Sequence, residues 1–272
     1  MSTETLAIIG AGNMGASLVG GLIHQGFSPQ QLWVTDTDLK KLQQLHSQFN
    51  VQITSNNQDA AKIANVIILA VKPQRIAIVA QELKESVSIK RPLIISIAAG
   101  VRESSLQKWL GHQSAIVRCM PNLPALVGMG ATALFANSYV SDNDRQLAET
   151  ILRAIGMTVW LDDENLMDAV TALSGSGPAY FFFVIEIMQA IGEKWGLSRE
   201  MARALTLQTA CGAARMAFDS PYSAEELRKQ VTSPGGTTEA ALQILEKGQF
   251  RELFTQALQA AYQRSRELAH EG

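Results

Sequence analysis

The chain begins with a short apolar strand that runs directly into a glycine-rich turn, and this junction restricts its fold more than any other feature. Leu6–Ile9 precede the sequence GAGNMG at Gly10–Gly15, and a helical pattern covers Asn13–Gln25. The first glycine permits a tight turn, the second lets a pyrophosphate approach the backbone, and the third lets helix and strand pack closely. The start of the helix presents N–H groups to the phosphates. The junction therefore predicts a dinucleotide-binding α/β domain.

Strand-like and helical patterns continue to alternate through the first part of the chain. The strand-like runs are short and fully apolar, which suits parallel strands that are buried on both faces. The predicted strands after the first are Leu32–Thr35, Val66–Val71, Leu93–Ala98, Ile116–Met120, Ala131–Ala136 and Met157–Leu161. The alternation predicts a doubly wound sheet with helices between its strands. Ser141 is the expected N-cap of the helix between the last two strands.

A change of pattern after Leu161 predicts a second domain. Strand-like runs stop there, and Gly and Pro separate the helical patterns that follow. The predicted helices are Glu164–Leu173, Ala179–Trp195, Arg199–Phe218, Ala224–Val231, Thr237–Glu246 and Phe250–Ala269. At about 150 residues per domain, a chain of 272 residues fits two domains. We expect a Rossmann dinucleotide-binding domain over residues 1–162 and an all-α domain over residues 163–272.

Charged residues are scarce in this chain. Asp, Glu, Lys and Arg make up 18% of it, against about 25% in an ordinary soluble domain, and the formal net charge is −2. Nucleic-acid binding would require an excess of Lys and Arg, so we exclude that class. The helix predicted over Ala179–Trp195 is apolar almost all round its first turns and must be buried on all sides. We expect a subunit interface to bury it, which leaves the helical half incomplete without a partner chain.

Several features indicate the compartment of the protein. Two long uncharged runs are interrupted by Gly and Pro, so we expect no membrane helix. The first residues lack the basic and apolar regions of a signal peptide. Cys119 and Cys211 lie far apart and form no C-x-x-C pair, which argues against a disulfide framework or a zinc site. These features fit a reducing cytoplasm.

Asp36 bears on the choice between NAD and NADP. It lies 21 residues after Gly15, at the end of the second predicted strand. An acid at this place accepts a hydrogen bond from the ribose 2′-hydroxyl and repels a 2′-phosphate, which favours NAD. Lys40 and Lys41 follow closely and could offset a phosphate. The residues therefore leave both cofactors open.

Four further motifs lie where ligands commonly bind. Ala70–Pro73, Ser96–Gly100 and Met120–Asn122 close predicted strands, and open α/β sheets bind ligands at the carboxyl ends of their strands. In the helical half, the small residues of Ser233–Thr238 open a helix. Exposed backbone N–H groups at such a place suit a carboxylate. A plain helix cap is the alternative interpretation of that segment.

Together these motifs resemble the pyrroline-5-carboxylate reductase family over nearly the whole chain. Ser174–Tyr180 and the block Leu227–Glu246 around the SPGGTT sequence also carry the resemblance, and the latter block is the most specific. The resemblance implies a Rossmann domain and a helical domain that interlocks with a second subunit, often in larger rings of dimers. It also implies NAD(P)H-dependent reduction of the cyclic imine 1-pyrroline-5-carboxylate to L-proline, the last step of proline biosynthesis. The family commonly accepts NADPH, and Asp36 departs from that pattern.

The resemblance also implies roles for single residues. The Ser233 hydroxyl and the N–H groups of Gly236, Thr237 and Thr238 would hold the substrate carboxylate. Thr238 would also bond the ring nitrogen and help to deliver a proton, which makes it the candidate catalytic residue. The implied cofactor-binding residues are Gly10, Ala11, Gly12, Asn13, Met14, Gly15, Asp36, Asn56, Ala70, Val71, Lys72, Pro73, Ala98 and Gly100. The protonated imine is already electrophilic, so no metal is expected.

Two other function classes compete with this interpretation. A β-hydroxyacid dehydrogenase would use a helical lysine as its acid and base, and the candidate Lys194 lies at the far end of its helix from Ser174–Gly177. A non-catalytic dinucleotide sensor would not need the turn at Ser233–Thr238. A Ser–His–acid triad has few candidates, because the chain has only four histidines. Turnover of the imine separates these classes.

Overall fold

The computed structural model describes residues 4–271, with side chains described as far as Ala269. Met1–Thr3 lie outside the described residues, and so does the side chain of His270. Met1–Thr3 belong to the segment that we expect not to be a signal peptide. Contacts divide the chain into two compact units, the first comprising Met1–Ser176 and Ala261–Gly272 and the second comprising Gly177–Ala260. This division falls after the boundary expected at residue 162, because residues just after 162 contact the first unit, as in the ion pair of Glu164 with Arg118.

The first unit is built on an eight-stranded sheet. Its strands are β1 Leu6–Ile9, β2 Leu32–Thr35, β3 Gln52–Thr54, β4 Val66–Leu69, β5 Leu93–Ser96, β6 Ile116–Met120, β7 Gly130–Ala136 and β8 Gly156–Trp160. Their order is β3-β2-β1-β4-β5-β6-β7-β8. The central strand β1 pairs in parallel on both sides, so that Leu6 lies beside Leu32 of β2 and Val66 of β4. The doubly wound sheet is thereby confirmed.

Two details of the sheet differ from the prediction. β7 runs antiparallel to β6, because a short loop with a one-turn 3-10 helix at Leu123–Val127 joins them, and a parallel pair would need a longer crossover. β3 was not among the predicted strands. Its three residues are all half-buried and form no continuous apolar run, so hydrophobicity alone does not reveal it.

Helices cover both faces of this sheet. They are α1 Asn13–His24, α2 Leu39–Phe49, α3 Asn57–Ala61, α4 Pro73–Lys90, α5 Glu103–Leu110, α6 Asp142–Arg153 and α7 Leu166–Val170. Alternate residues of β1 enter opposite layers of the core: Leu6 and Ile8 pack into one, Ala7 and Ile9 into the other. α6 begins with a capping box in which Ser141 and Asp144 bond reciprocally, which confirms the predicted N-cap.

The second unit is entirely helical. Its helices are α8 Gly177–Lys194, α9 Arg199–Asp219, α10 Ala224–Gln230 and α11 Thr237–Lys247, together with the first half of α12 Phe250–Glu271. Large apolar side chains in this unit are exposed, among them Phe181 at 72%, Trp195 at 81% and Phe218 at 77%. The stretch Leu166–Lys194 is long and apolar enough to cross a membrane by length and composition, and few residues of its most apolar 18-residue segment are buried. The predicted apolar helix is therefore unburied in a single chain.

Candidate functional site

The three glycines of the first turn each meet a different steric requirement. A Cβ on Gly10 would lie 2.6 Å from the carbonyl oxygen of Ala70, and one on Gly15 would lie 2.1 Å from the carbonyl oxygen of Gly10. Gly10 also has a φ of +115°, which favours glycine. A Cβ on Gly12 would have no described atom within 4 Å. Gly10 and Gly15 are needed by the fold, whereas Gly12 leaves its side of the turn open to a ligand.

The start of α1 is suited to phosphate. Gly12 is its N-cap, and no side chain among the described residues caps this helix. No acidic residue lies in the first turn, where Asn13 and Met14 are the first helical residues. The helix dipole and the N–H groups of this turn are thus directed at whatever lies above Gly12.

A cleft of about 530 Å³ opens beside this turn at the carboxyl ends of β1, β2 and β4. Six of the predicted cofactor residues line it: Gly10, Gly12, Asp36, Ala70, Val71 and Lys72. Ala11, Asn13, Met14 and Gly15 belong to the same turn and helix start, and Pro73 is the first residue of α4. The structure thus brings two separate motifs of the sequence to one edge of the sheet.

Asn56 is not among the described residues that line this cleft, although both of its neighbours are. Asn56 is the N-cap of α3, where its side-chain oxygen accepts from the backbone N–H of Gln58 over 3.0 Å. Ser55 and Asn57 line the cleft instead. The side chain of Asn57 accepts from the Thr35 hydroxyl over 2.6 Å, which fixes it at the end of β2. Recognition of β3 would have placed residues 55–57 at a strand end.

Charged groups of both signs line the cleft, and two of them, Arg75 and Glu82, were not predicted. Lys41, Lys72 and Arg75 are the cations, and Asp36 and Glu82 are the acids. Cations at this edge suit the phosphates of a dinucleotide. The signal that sequence reasoning overlooked is that Arg75 and Glu82 lie on α4, which starts at Pro73, the last residue of the Ala70–Pro73 motif.

Ala98 and Gly100 are not among the described residues that line the cleft. Ala98 is buried, and Gly100 has a φ of +75°. A Cβ on Gly100 would approach the Cβ of Leu268 to 3.3 Å. The positive φ of this loop and its packing against the end of α12 therefore explain why residue 100 is a glycine.

The turn Ser233–Gly236 precedes α11 in the second unit. Gly235 has a φ of +71°, and its N–H donates to Oε2 of Glu239 over 2.7 Å. The N–H of Gly236 donates to the carbonyl of Ser233 over 3.0 Å, so the turn itself uses a donor that was predicted for substrate. Gly236 is the N-cap of α11, and none of the described side chains caps that helix. Thr237 and Thr238 therefore supply the donors at the start of this helix.

Glu239 was not predicted as part of this turn. It is half-buried and lies in the first turn of α11, where an acid also interacts favourably with the helix dipole. The sequence signal is an acidic residue three positions after the N-cap, a spacing that favours a hydrogen bond back to the residues before the helix. The effect of Glu239 is to hold Gly235 in its left-handed conformation.

The remaining candidate groups are unsuited to catalysis. Burial raises the pKa of the Cys119 thiol far above its ordinary value, and the charge of Arg118 opposes this only in part, so the thiol stays protonated. Lys194 is exposed at the last position of α8, at the opposite end of that helix from Gly177. No group of three or more His, Cys, Asp or Glu within the described part of the chain is placed to hold a metal ion.

Comparisons with known proteins cover both parts of the chain. A family model described as pyrroline-5-carboxylate reductase dimerisation matches residues 164–268, and one described as NADP oxidoreductase, coenzyme F420-dependent, matches residues 5–100. The pyrroline-5-carboxylate reductase of Pseudomonas aeruginosa is 49% identical over 100% of this chain and 99% of its own length. That of Haemophilus influenzae is 42% identical over 98% of both.

Solved structures give the same match in three dimensions. A pyrroline-5-carboxylate reductase from Coxiella burnetii has a TM-score of 0.93 at 46% identity, covering 98% of this chain and 99% of that one. The Plasmodium falciparum pyrroline carboxylate reductase with NADP bound has a TM-score of 0.89 at 31% identity, covering 99% of both chains. The expected fold class, an N-terminal Rossmann-type sheet followed by a helical dimerisation domain, is confirmed.

Proposed function

The chain belongs to the pyrroline-5-carboxylate reductase family, and we propose that its glycine-rich cleft binds NADH or NADPH while the turn Ser233–Thr238 binds the substrate. The reaction is the reduction of 1-pyrroline-5-carboxylate to L-proline. The observation that carries the proposal is steric: Gly10 and Gly15 are closed against the backbone, and Gly12 is open. That combination is what close approach of a pyrophosphate to a backbone turn requires.

Within the cleft, the residues of this chain have positioning tasks. The start of α1 holds the pyrophosphate through its N–H groups, and Lys72 and Arg75 add positive charge. Ala70 and Val71, which line the cleft, would contact the nicotinamide ribose, and Asn56 and its neighbour Asn57 would lie on the adenosine side. Bound there, the reduced nicotinamide supplies the hydride, and the protein orients the two reactants.

The substrate turn holds a carboxylate without using a charged side chain. We assign this task to the N–H groups of Thr237 and Thr238 at the start of α11 and to the hydroxyl of Ser233 in the turn before it. Gly236 shapes the turn, since its N–H is already bonded to the carbonyl of Ser233. The helix dipole adds a favourable interaction with the negative carboxylate.

Thr238 is the residue that touches the reacting group in this proposal. Its hydroxyl bonds the ring nitrogen of the substrate and keeps the protonated imine in place. As hydride adds to the imine carbon, a C–H bond forms, the π electrons move to nitrogen, and the positive charge is lost. The amine so formed then takes a proton from water. A half-buried hydroxyl can hold the nitrogen throughout, because it both donates and accepts hydrogen bonds.

Self-association follows from the match to the dimerisation model. We propose that residues 163–272 serve both substrate binding and dimerisation and that residues 1–162 serve the dinucleotide. The exposed apolar side chains of α8 and α9 supply the surface that a dimer would bury. We further propose a cytoplasmic enzyme that assembles as a dimer or as a decamer of five dimers. Light scattering coupled to size exclusion measures the mass and distinguishes the two.

A turnover assay tests the assigned reaction. The protein is mixed with NADH or NADPH and pyrroline-5-carboxylate, and loss of the reduced-nicotinamide absorbance is followed. The expected result is oxidation of the cofactor with this imine and none with hydroxy acids or keto acids. Turnover with neither cofactor would disprove the proposal, and turnover of a keto acid would favour the hydroxyacid dehydrogenase class.

A further inference from the structure

Asp36 uses both of its carboxylate oxygens on the backbone of this chain. Oδ2 accepts from the N–H of Ala11 over 2.8 Å, and Oδ1 accepts from the N–H of Asp38 over 2.9 Å. Ala11 belongs to the glycine-rich turn, and Asp38 is the N-cap of α2. The half-buried carboxylate therefore joins the turn after β1 to the loop after β2.

The bond to Ala11 fixes the part of the turn that a dinucleotide would approach. Gly10 donates its own N–H to the carbonyl of Thr35 over 2.8 Å, so two consecutive N–H groups are held by the end of β2. Ala11 is buried, and the loss of its acceptor would leave a backbone donor without a partner. The open position, Gly12, is the very next residue.

We propose that Asp36 is a positioning residue for the dinucleotide, which acts by holding Ala11 so that Gly12 and the start of α1 keep the shape that receives the pyrophosphate. The proposal rests on the dinucleotide cleft proposed above. It differs from the role of a discriminator, by which we mean a residue that distinguishes NADH from NADPH by its contact with the ribose 2′ position. A discriminator affects NADH and NADPH in opposite directions, whereas a positioning residue affects both alike, because both carry the same pyrophosphate.

Three substitutions separate these roles. Asp36→Asn keeps one acceptor oxygen but turns an NH₂ group toward a backbone donor. Asp36→Glu keeps the charge but moves the carboxylate by one methylene. Asp38→Asn is the matched control: it removes one negative charge from the same loop, and Asn caps a helix as well as Asp does. The KM of each cofactor, the KM of the imine and kcat are measured for all three variants and for the unsubstituted protein.

The expected result is a rise of about tenfold in the KM of both NADH and NADPH for Asp36→Asn and for Asp36→Glu, the scale of one lost hydrogen bond to a charged group. The ratio of kcat/KM between the two cofactors should change by less than about threefold, as should the KM of the imine. Asp38→Asn should stay within about twofold of the unsubstituted protein. Faster amide hydrogen exchange in the peptide that contains Ala11 should accompany the Asp36 variants alone.

Other outcomes overturn the proposal. A KM for NADPH that falls while that for NADH rises would make Asp36 a discriminator. An Asp36→Glu variant with unchanged KM values for both cofactors would show that the bonds to Ala11 and Asp38 do not position the turn. If Asp36→Asn does not fold, Asp36→Glu and its hydrogen exchange decide the matter. Failure of the proposed function looks different, since the unsubstituted protein would then turn over neither cofactor.

Discussion

The side-chain amide of Asn122 donates to the backbone carbonyl of Ser174 over 3.0 Å, and its oxygen accepts from the backbone N–H of Ala131 over 2.9 Å. In a continuous α-helix the carbonyl of residue 174 would accept from the N–H of residue 178, which is a proline and has none. The chain forms a π-helical turn there instead, in which Ser176 donates to Thr171 over 2.8 Å. Asn122 supplies the donor that the proline lacks.

We expect Asn122→Ala to lower stability by about 2 kcal/mol, because a half-buried carbonyl and a backbone N–H both lose their partner. In a chain of this size that corresponds to a fall of about 4–8 °C in Tm. The control is Asn143→Ala, since Asn143 is exposed on α6, and it should change Tm by less than about 2 °C. Both are measured at one protein concentration, because self-association raises Tm. Equal Tm values for the two variants would contradict this role of Asn122.

The positions that require glycine could be predicted from sequence, whereas the hydrogen bonds that depend on the dihedral angles of a turn could not. The roles of Gly10 and Gly15 follow from a pattern of residues without side chains, and the structure shows the backbone atoms that exclude a Cβ. The engagement of the Gly236 N–H with Ser233 depends on the dihedral angles of a turn, which the residue types do not specify. Asn57 was missed because the strand before it is short and half-buried.

The hydrogen bond between Asn122 and Ser174 is another feature that the sequence does not reveal. The segments Met120–Asn122 and Ser174–Pro178 are both recognisable in sequence, but nothing in their spacing indicates that Asn122 bonds Ser174. Contacts between residues far apart in the chain follow from the assembled sheet. A Cβ on Gly175 would lie 2.5 Å from the end of the Met120 side chain. The two segments therefore also meet at Gly175, where a larger residue would displace Met120.

Thr238→Val should lower kcat/KM for the imine by about 10- to 100-fold, the scale of one hydrogen bond lost in the transition state. Valine has nearly the shape of threonine but lacks the hydroxyl, and Thr238→Ser restores it as the matched control. The KM of the cofactor should not change, because that site lies on other residues. Steady-state kinetics with each substrate varied in turn measures both effects. Full activity in Thr238→Val would remove Thr238 from the mechanism.

Glu239→Ala should raise the KM of the imine by about 5- to 10-fold with little change in the KM of the cofactor. The carboxylate of Glu239 holds the N–H of Gly235, and without it the turn before Thr237 loses its shape. Glu239→Gln is the control, because its side-chain oxygen accepts the same hydrogen bond without charge. We expect its KM to stay within about twofold of the unsubstituted protein. A Glu239→Ala variant that matches Glu239→Gln would show that the hydrogen bond does not shape the substrate turn.

Asp168 carries the last prediction, which concerns stability. It is buried in α7, accepts from the hydroxyl of Ser265 over 2.7 Å, and lies 3.7 Å from the guanidinium of Arg102. Asp168→Ala should cost about 3–5 kcal/mol, because a buried hydroxyl loses its acceptor and a mostly buried cation, which keeps its hydrogen bond to Asn165, loses its ion-pair partner. Ser265→Ala removes only the hydroxyl and should cost about 1 kcal/mol. Denaturant unfolding of both single variants and of the double variant measures the coupling. Additive effects would contradict the contact, since two residues that bond each other should couple by 0.5 kcal/mol or more, on the order of a direct hydrogen bond.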